Sequence, residues 1–212
     1  MTRTTTKETT QLPRGTQAKM RLFQRLLMSY VDFQQAAAIS DYILKENLHD
    51  RLPETGFALE GLSCGMIVAY CRPFSGNDRR AKRRIPDLPA SILRVLTDDE
   101  RRLQEIVLKD RNAVLAHSDS DAWEPGLEIF RVPGKDILLP IFNPIHSPLT
   151  REATARFQIM ARKLMEACFE QRMRLEPELT PHLPVVEYTE EELHRIAEKA
   201  GFKLPPDIGE AS

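Results

Sequence analysis

Apolar positions recur at three- and four-residue spacing along most of the chain, the mark of helices that each bury one stripe. From about Gln17 to Leu48 the stripe is Leu22, Leu26, Tyr30, Phe33, Ala37 and Tyr42. It predicts one long helix, or two if Asp32 starts a second after a break near Ser29. Pro53 and Glu54 suit a helix start, and Phe57, Leu59, Leu62, Met66, Ile67, Val68 and Tyr70 extend that helix until Pro73 stops it. Small residues interleave there: Ala58, Gly61, Ser63, Cys64, Gly65 and Ala69. Each helical glycine costs roughly 1 kcal/mol, so the expectation is a buried central helix with a neighbour packed very close.

Residues 90–96 suit a short helix. Thr97 and Glu100 form a capping box for a helix through Leu103, Ile106, Val107, Val114 and Leu115 to about His117. The pattern then changes. Residues 127–132 and 137–139 flank Pro133-Gly134-Lys135-Asp136, which reads as a β-hairpin over 127–142. Ser147 and Pro148 suit the start of a last long helix, which carries Phe157, Met160, Leu164, Cys168 and Phe169 and ends near Leu175. Pro177, Pro181 and Pro184 predict extended chain, followed by a short capped helix from Thr189 to Ala200. The expected fold class is all-α: an antiparallel helical bundle over 16–175 with a small β-hairpin insertion. A disordered tail, 1–15, precedes it, and a proline-rich linker with a C-terminal helix, 176–212, follows it.

Composition narrows the classes. Thirty basic and 31 acidic side chains leave a net charge of −1, so nucleic-acid binding has to rest on a local patch. One such patch exists. Arg79, Arg80, Lys82, Arg83 and Arg84 follow Arg72 with Asp78 as the lone acid, a net of about +5. This is either a solvated linker or a track for an RNA backbone, and no aromatic residue interleaves with it for base stacking. The three cysteines, Cys64, Cys71 and Cys168, show neither a disulfide framework nor zinc spacing, and no cofactor motif is present. No segment reaches the ~20 apolar residues of a membrane span. The N-terminus lacks the apolar stretch of a signal peptide, so the expected compartment is the cytoplasm.

One segment breaks the amphipathic rule. On a helical wheel, Leu103, Ile106, Val107 and Val114 mark the core side of the helix opened at Thr97. Asp110 and His117 fall on that same side, roughly 20° from alignment, and Arg111 lies on its edge. Burying such groups is costly unless they are paired or line a cleft. Two explanations stand at this point. His117 caps the helix end while Asp110 and Arg111 form a structural ion pair, or the three belong to a site.

The stretch from Lys109 to Asp119, with Arg111, Asn112 and His117 at its centre, resembles the signature of the HEPN superfamily. That signature is an arginine, commonly followed by a polar residue, then a histidine four to six residues on, closing a late helix of a compact bundle. The resemblance implies a metal-independent endoribonuclease of the toxin–antitoxin or phage-defence kind. It also implies a homodimer in which two motifs meet, and an antitoxin or other protein partner. By the same resemblance Arg111 would hold the scissile phosphate, His117 would act as general acid or base, Asn112 would orient them, and Asp110 would support the cluster. Many relatives of this type are non-catalytic, so a helical protein- or RNA-binding module is the alternative. Arg111 and His117 stand about 120° apart and roughly 9 Å apart along one helix, so a shared phosphate requires two helix ends to meet.

Overall fold

A computed structural model describes residues 13–51, 54–74, 86–115, 126–141, 149–183 and 188–200. It divides into two compact units, Met1–Leu179 and Thr180–Ser212. Among the described residues the first unit holds four α-helices, α1 (Arg14–Lys45), α2 (Gly56–Cys71), α3 (Asp98–Leu115) and α4 (Arg151–Leu179), and a hairpin of β1 (Gly126–Val132) and β2 (Lys135–Ile141). The second holds α5 (Glu190–Ala200). The molecule is thus mainly helical with one two-stranded antiparallel sheet. Among the described residues no helix is long and apolar enough to cross a membrane.

α1 is unbroken, so the expected interruption near Ser29 is absent. It already starts at Arg14, with the Gln17 N–H donating to the Pro13 carbonyl at 3.0 Å. Residues 14 and 15, expected in the tail, are therefore helical. α1 packs between α2 and α4, and α3 completes the bundle by touching α2 and α4. Contacts along α1 fix the directions. The Gly65 site meets Ile39 and Arg72 bonds Asp32, so α2 runs antiparallel to α1. Lys19 pairs with Glu178, Arg162 with Asp41, and Arg151 with Asp50, so α4 runs antiparallel as well. The core between them is Leu26, Phe33, Ile43, Leu59, Met66, Ile67, Tyr70, Val107, Phe157, Met160 and Leu164. Tyr70 sits at its middle, its ring 5.0 Å from Phe157, 5.5 Å from Phe33 and 5.6 Å from Phe74.

Three elements differ from expectation for identifiable reasons. α4 begins at Arg151 rather than at Ser147-Pro148, which lie outside the described residues. Thr150 caps it instead, its hydroxyl accepting the Ala153 N–H at 3.2 Å. α4 also continues through Pro177 to Leu179. Proline removes one N–H late in the helix, while buried Leu179 and the Lys19–Glu178 ion pair hold the last turn. α2 is not a buried central helix: Ala58 and Gly61 are exposed, Cys64 and Gly65 half-buried. A Cβ built on Gly61 would meet nothing within 4 Å, whereas Gly65 faces Ile39 of α1 and Ser63 and Ala69 are buried, so only part of the small-residue set packs against a neighbour in this chain.

The hairpin turn is two residues, tighter than read from sequence. Pro133 and Gly134 connect Val132 to Lys135, and Gly134 takes φ +82°. Proline followed by a positive-φ glycine is the order a type II turn needs. Lys135 and Asp136 are thereby strand residues, and Asp136 accepts two hydrogen bonds from its cross-strand partner Arg131, at 2.9 and 3.3 Å.

Candidate functional site

The capping box at the start of α3 is fully formed. The Thr97 N–H donates to Glu100 at 2.8 Å, and the Glu100 N–H donates to the Thr97 hydroxyl at 3.3 Å. The same Glu100 carboxylate accepts Lys163 of α4 at 2.7 Å. Burial acts to raise Glu100, but the bonds from Lys163 and Thr97 outweigh it and hold its carboxyl below the ordinary range. This clamp sets the phase of α3. Its inner line is Glu100, Gln104, Val107 and Arg111, with Gln104 and Val107 buried and Arg111 half-buried. Ile106, expected on the core side, is 51% exposed. Arg111 therefore belongs to the inner line rather than its edge, while Asp110 beside it is half-buried.

The environment of Arg111 is the C-terminal end of α2. Cys71, the last residue of that helix, directs its thiol at the Val107 carbonyl, 3.7 Å away. Burial pushes the Cys71 thiol up to about 12, with the Arg111 charge pulling it down and the Asp110 charge pushing it further up. Both charged groups of α3 thus lie within electrostatic reach of the α2 terminus. The next residue, Arg72, turns the other way and donates to Asp32 at 3.2 Å and Gln35 at 3.0 Å on α1. Burial raises Asp32 above the usual carboxylate range, against the opposing bond and charge of Arg72 and the charge of Arg25.

Of the sequence-predicted site, Arg111 and Asp110 are side by side beside Cys71. Asn112 is helical, but its side chain, like the whole of His117, lies outside the described residues. The basic run Arg79, Arg80, Lys82, Arg83 and Arg84 lies outside them too. Among the described residues no group of three His, Cys, Asp or Glu side chains is placed to hold a metal ion.

Two polar clusters escaped the sequence reading. Arg25 is only 4% exposed; its Nε donates to the Pro86 carbonyl at 2.7 Å, while one terminal nitrogen is buried without a hydrogen bond. The Ser29 hydroxyl, one turn along, is buried and unbonded in the same way. Their phase among Leu22, Leu26 and Phe33 was the available signal. The second cluster joins the α1–α2 connection to the start of α4. His49 Nε2 lies 3.3 Å from the Thr154 hydroxyl, and Arg151 donates to Asp50 and to Asn47, the latter at 2.7 Å. Burial and the Arg151 charge lower the His49 pKa, against the charges of Asp50 and Glu152. Residues this distant in sequence leave no local signal.

The chain matches no protein-family model, no curated protein and no solved structure.

Proposed function

We propose that the chain is a HEPN-like, metal-independent endoribonuclease of a toxin–antitoxin or phage-defence system, acting as a homodimer at paired Arg111/His117 sites. The observation that supports this most is the position of Arg111, half-buried on the inner line of α3 beside the end of α2. An arginine there presents a planar donor fork that suits bidentate contact with phosphate oxygens. In the reaction, a ribose 2′-hydroxyl loses its proton to a general base and attacks the adjacent phosphorus. The phosphorus–5′-oxygen bond breaks, leaving a 2′,3′-cyclic phosphate and a 5′-hydroxyl that takes up a proton. His117, as an imidazole, would exchange these protons. Arg111 would neutralise charge on the phosphorane, Asn112 would orient the pair, and Asp110 would hold Arg111. The basic run from Arg79 to Arg84 would guide the RNA backbone.

The test uses purified chain and cellular RNA, with and without EDTA. Cleavage that persists in EDTA and falls at least about a hundredfold in both Arg111→Ala and His117→Ala supports the reading. Equal RNA decay in wild type and in well-folded variants would sink it. The second reading, a non-catalytic helical module for a protein partner, is favoured by the exposed apolar residues of α1 and α2.

A further inference from the structure

Between α1 and α4 lies a groove of about 420 Å³, lined by Tyr30 of α1 and by Met165, Glu166, Phe169 and Glu170 of α4. Helical spacing explains its make-up. Met165 and Phe169 are four residues apart, as are Glu166 and Glu170, so α4 lays an apolar pair and an acidic pair side by side. Tyr30 meets Phe169 from α1, with ring centroids 6.3 Å apart and planes tilted by 46°. Tyr30 and Met165 are half-buried, while Phe169 is 43% exposed. The groove thus combines two aromatic rings and a thioether with two carboxylates.

The acidic pair is poorly balanced within the chain. Carboxylates at i and i+4 on a helix repel each other. Two neighbouring cations are engaged elsewhere, Arg162 with Asp41 at 3.1 Å and Lys163 with Glu100 at 2.7 Å. Glu170 meets Arg174 at 3.7 Å, but both side chains are largely exposed, and such a pair is weak. Among the described residues Glu166 has neither an ion pair nor a hydrogen bond. The Phe169 ring, meanwhile, already attracts a cation. The Arg172 guanidinium carbon lies 4.9 Å from its centroid, and Arg172 does not line the groove.

We infer that this groove binds a small aliphatic diamine. Charge and spacing select it. Side chains at i and i+4 stand about 6 Å apart at Cβ, so two ammonium groups separated by about four methylenes can each reach one carboxylate. The methylene chain then covers Met165 and Phe169 and removes their apolar surface from water. The ring faces attract the ammonium nearer to them, adding to the pull of the carboxylates. A metal ion would gain little from the rings and thioether, and an anion would be repelled by both glutamates. The site uses none of Asp110, Arg111, Asn112 or His117 and does not rest on the nuclease reading.

Isothermal titration calorimetry of the full chain with 1,4-diaminobutane tests the inference, in about 0.15 M salt to screen diffuse attraction between exposed charges. Wild type should bind one equivalent with a Kd on the order of 100 µM, within reach of a ligand this small. Glu166→Gln and Phe169→Leu should each weaken binding about tenfold, the first by removing a charge and the second by removing the ring while keeping an apolar side chain. Glu166 has no partner to lose among the described residues, so helical circular dichroism should be unaltered in Glu166→Gln. Butylamine, with a single ammonium, should bind about tenfold more weakly than the diamine, and magnesium at equal ionic strength should not displace it. No binding by wild type at millimolar diamine overturns the proposal. So does wild-type affinity in either variant, which places the amine elsewhere. Equal binding of butylamine, or displacement by magnesium, overturns it too, since either reduces the effect to general counter-ion attraction.

Discussion

Arg25 shows how a single side chain can be misjudged by its charge. It occupies a core phase of α1, and its guanidinium is buried with one carbonyl bond and one unbonded nitrogen. Among the described residues this buried cation has no salt-bridge partner, a poor source of stability, and an apolar side chain of similar length often does as well. Arg25→Met should therefore unfold within about 1 kcal/mol of wild type in urea, whereas Arg25→Ala, which opens a cavity, should lose about 2–4 kcal/mol. Equal losses in the two variants would mean that the charge itself stabilises. His49 makes a second prediction at this scale. Its folded pKa is lowered, so the fold favours the neutral ring. The stability from that preference is complete above about pH 6.5, the ordinary value, and is lost as pH falls from there through the lower folded value. The urea midpoint should drop between pH 7.5 and 5.5, and drop less in His49→Gln, which keeps a hydrogen-bonding group near Thr154. Arg25 left a signal that went unread, a charge in a core phase; His49 left none, because Thr154 and Arg151, which act on it, lie more than a hundred residues away.

Elements with local signals were read well, and those set by distant contacts were not. Thr97 and Glu100 specify the start of α3 by reciprocal bonds three residues apart, and Thr189 and Glu192 do the same for α5. Thr97→Ala removes one of these bonds and should cost about 1 kcal/mol in thermal or urea unfolding, the usual value of an N-cap. Glu100→Gln should cost more, since it also discharges the partner of Lys163. If the two are equal, the bond to α4 contributes nothing measurable. The phase of α3 illustrates the limit of a helical wheel. Averaging over apolar residues placed Ile106 inside, whereas the Lys163–Glu100 and Cys71–Val107 contacts turn Gln104 and Arg111 inward. That rotation moves Arg111 from the edge of the face onto its inner line. The C-terminal extent of α4 failed for a similar reason: Pro177 is a local stop signal overridden by burial of Leu179.

At the scale of the whole molecule, the small residues of α2 divide: Ser63, Gly65 and Ala69 meet the close neighbours expected inside the chain, while Ala58 and Gly61 face outward. Small side chains signal close packing without saying which of them are packed. The thiols offer a direct measurement. Cys71 and Cys168 are buried, and burial pushes both thiols up to about 12. Cys64 is half-buried on the outward line of α2, its thiol raised first by burial and then by the Glu60 charge. Since the thiolate is the reacting form, the native chain at pH 8 should release one equivalent to an aromatic disulfide reagent slowly and three only after unfolding. Two or three equivalents released by the folded chain would mean that α2 and α4 do not bury Cys71 and Cys168 as the core packing requires.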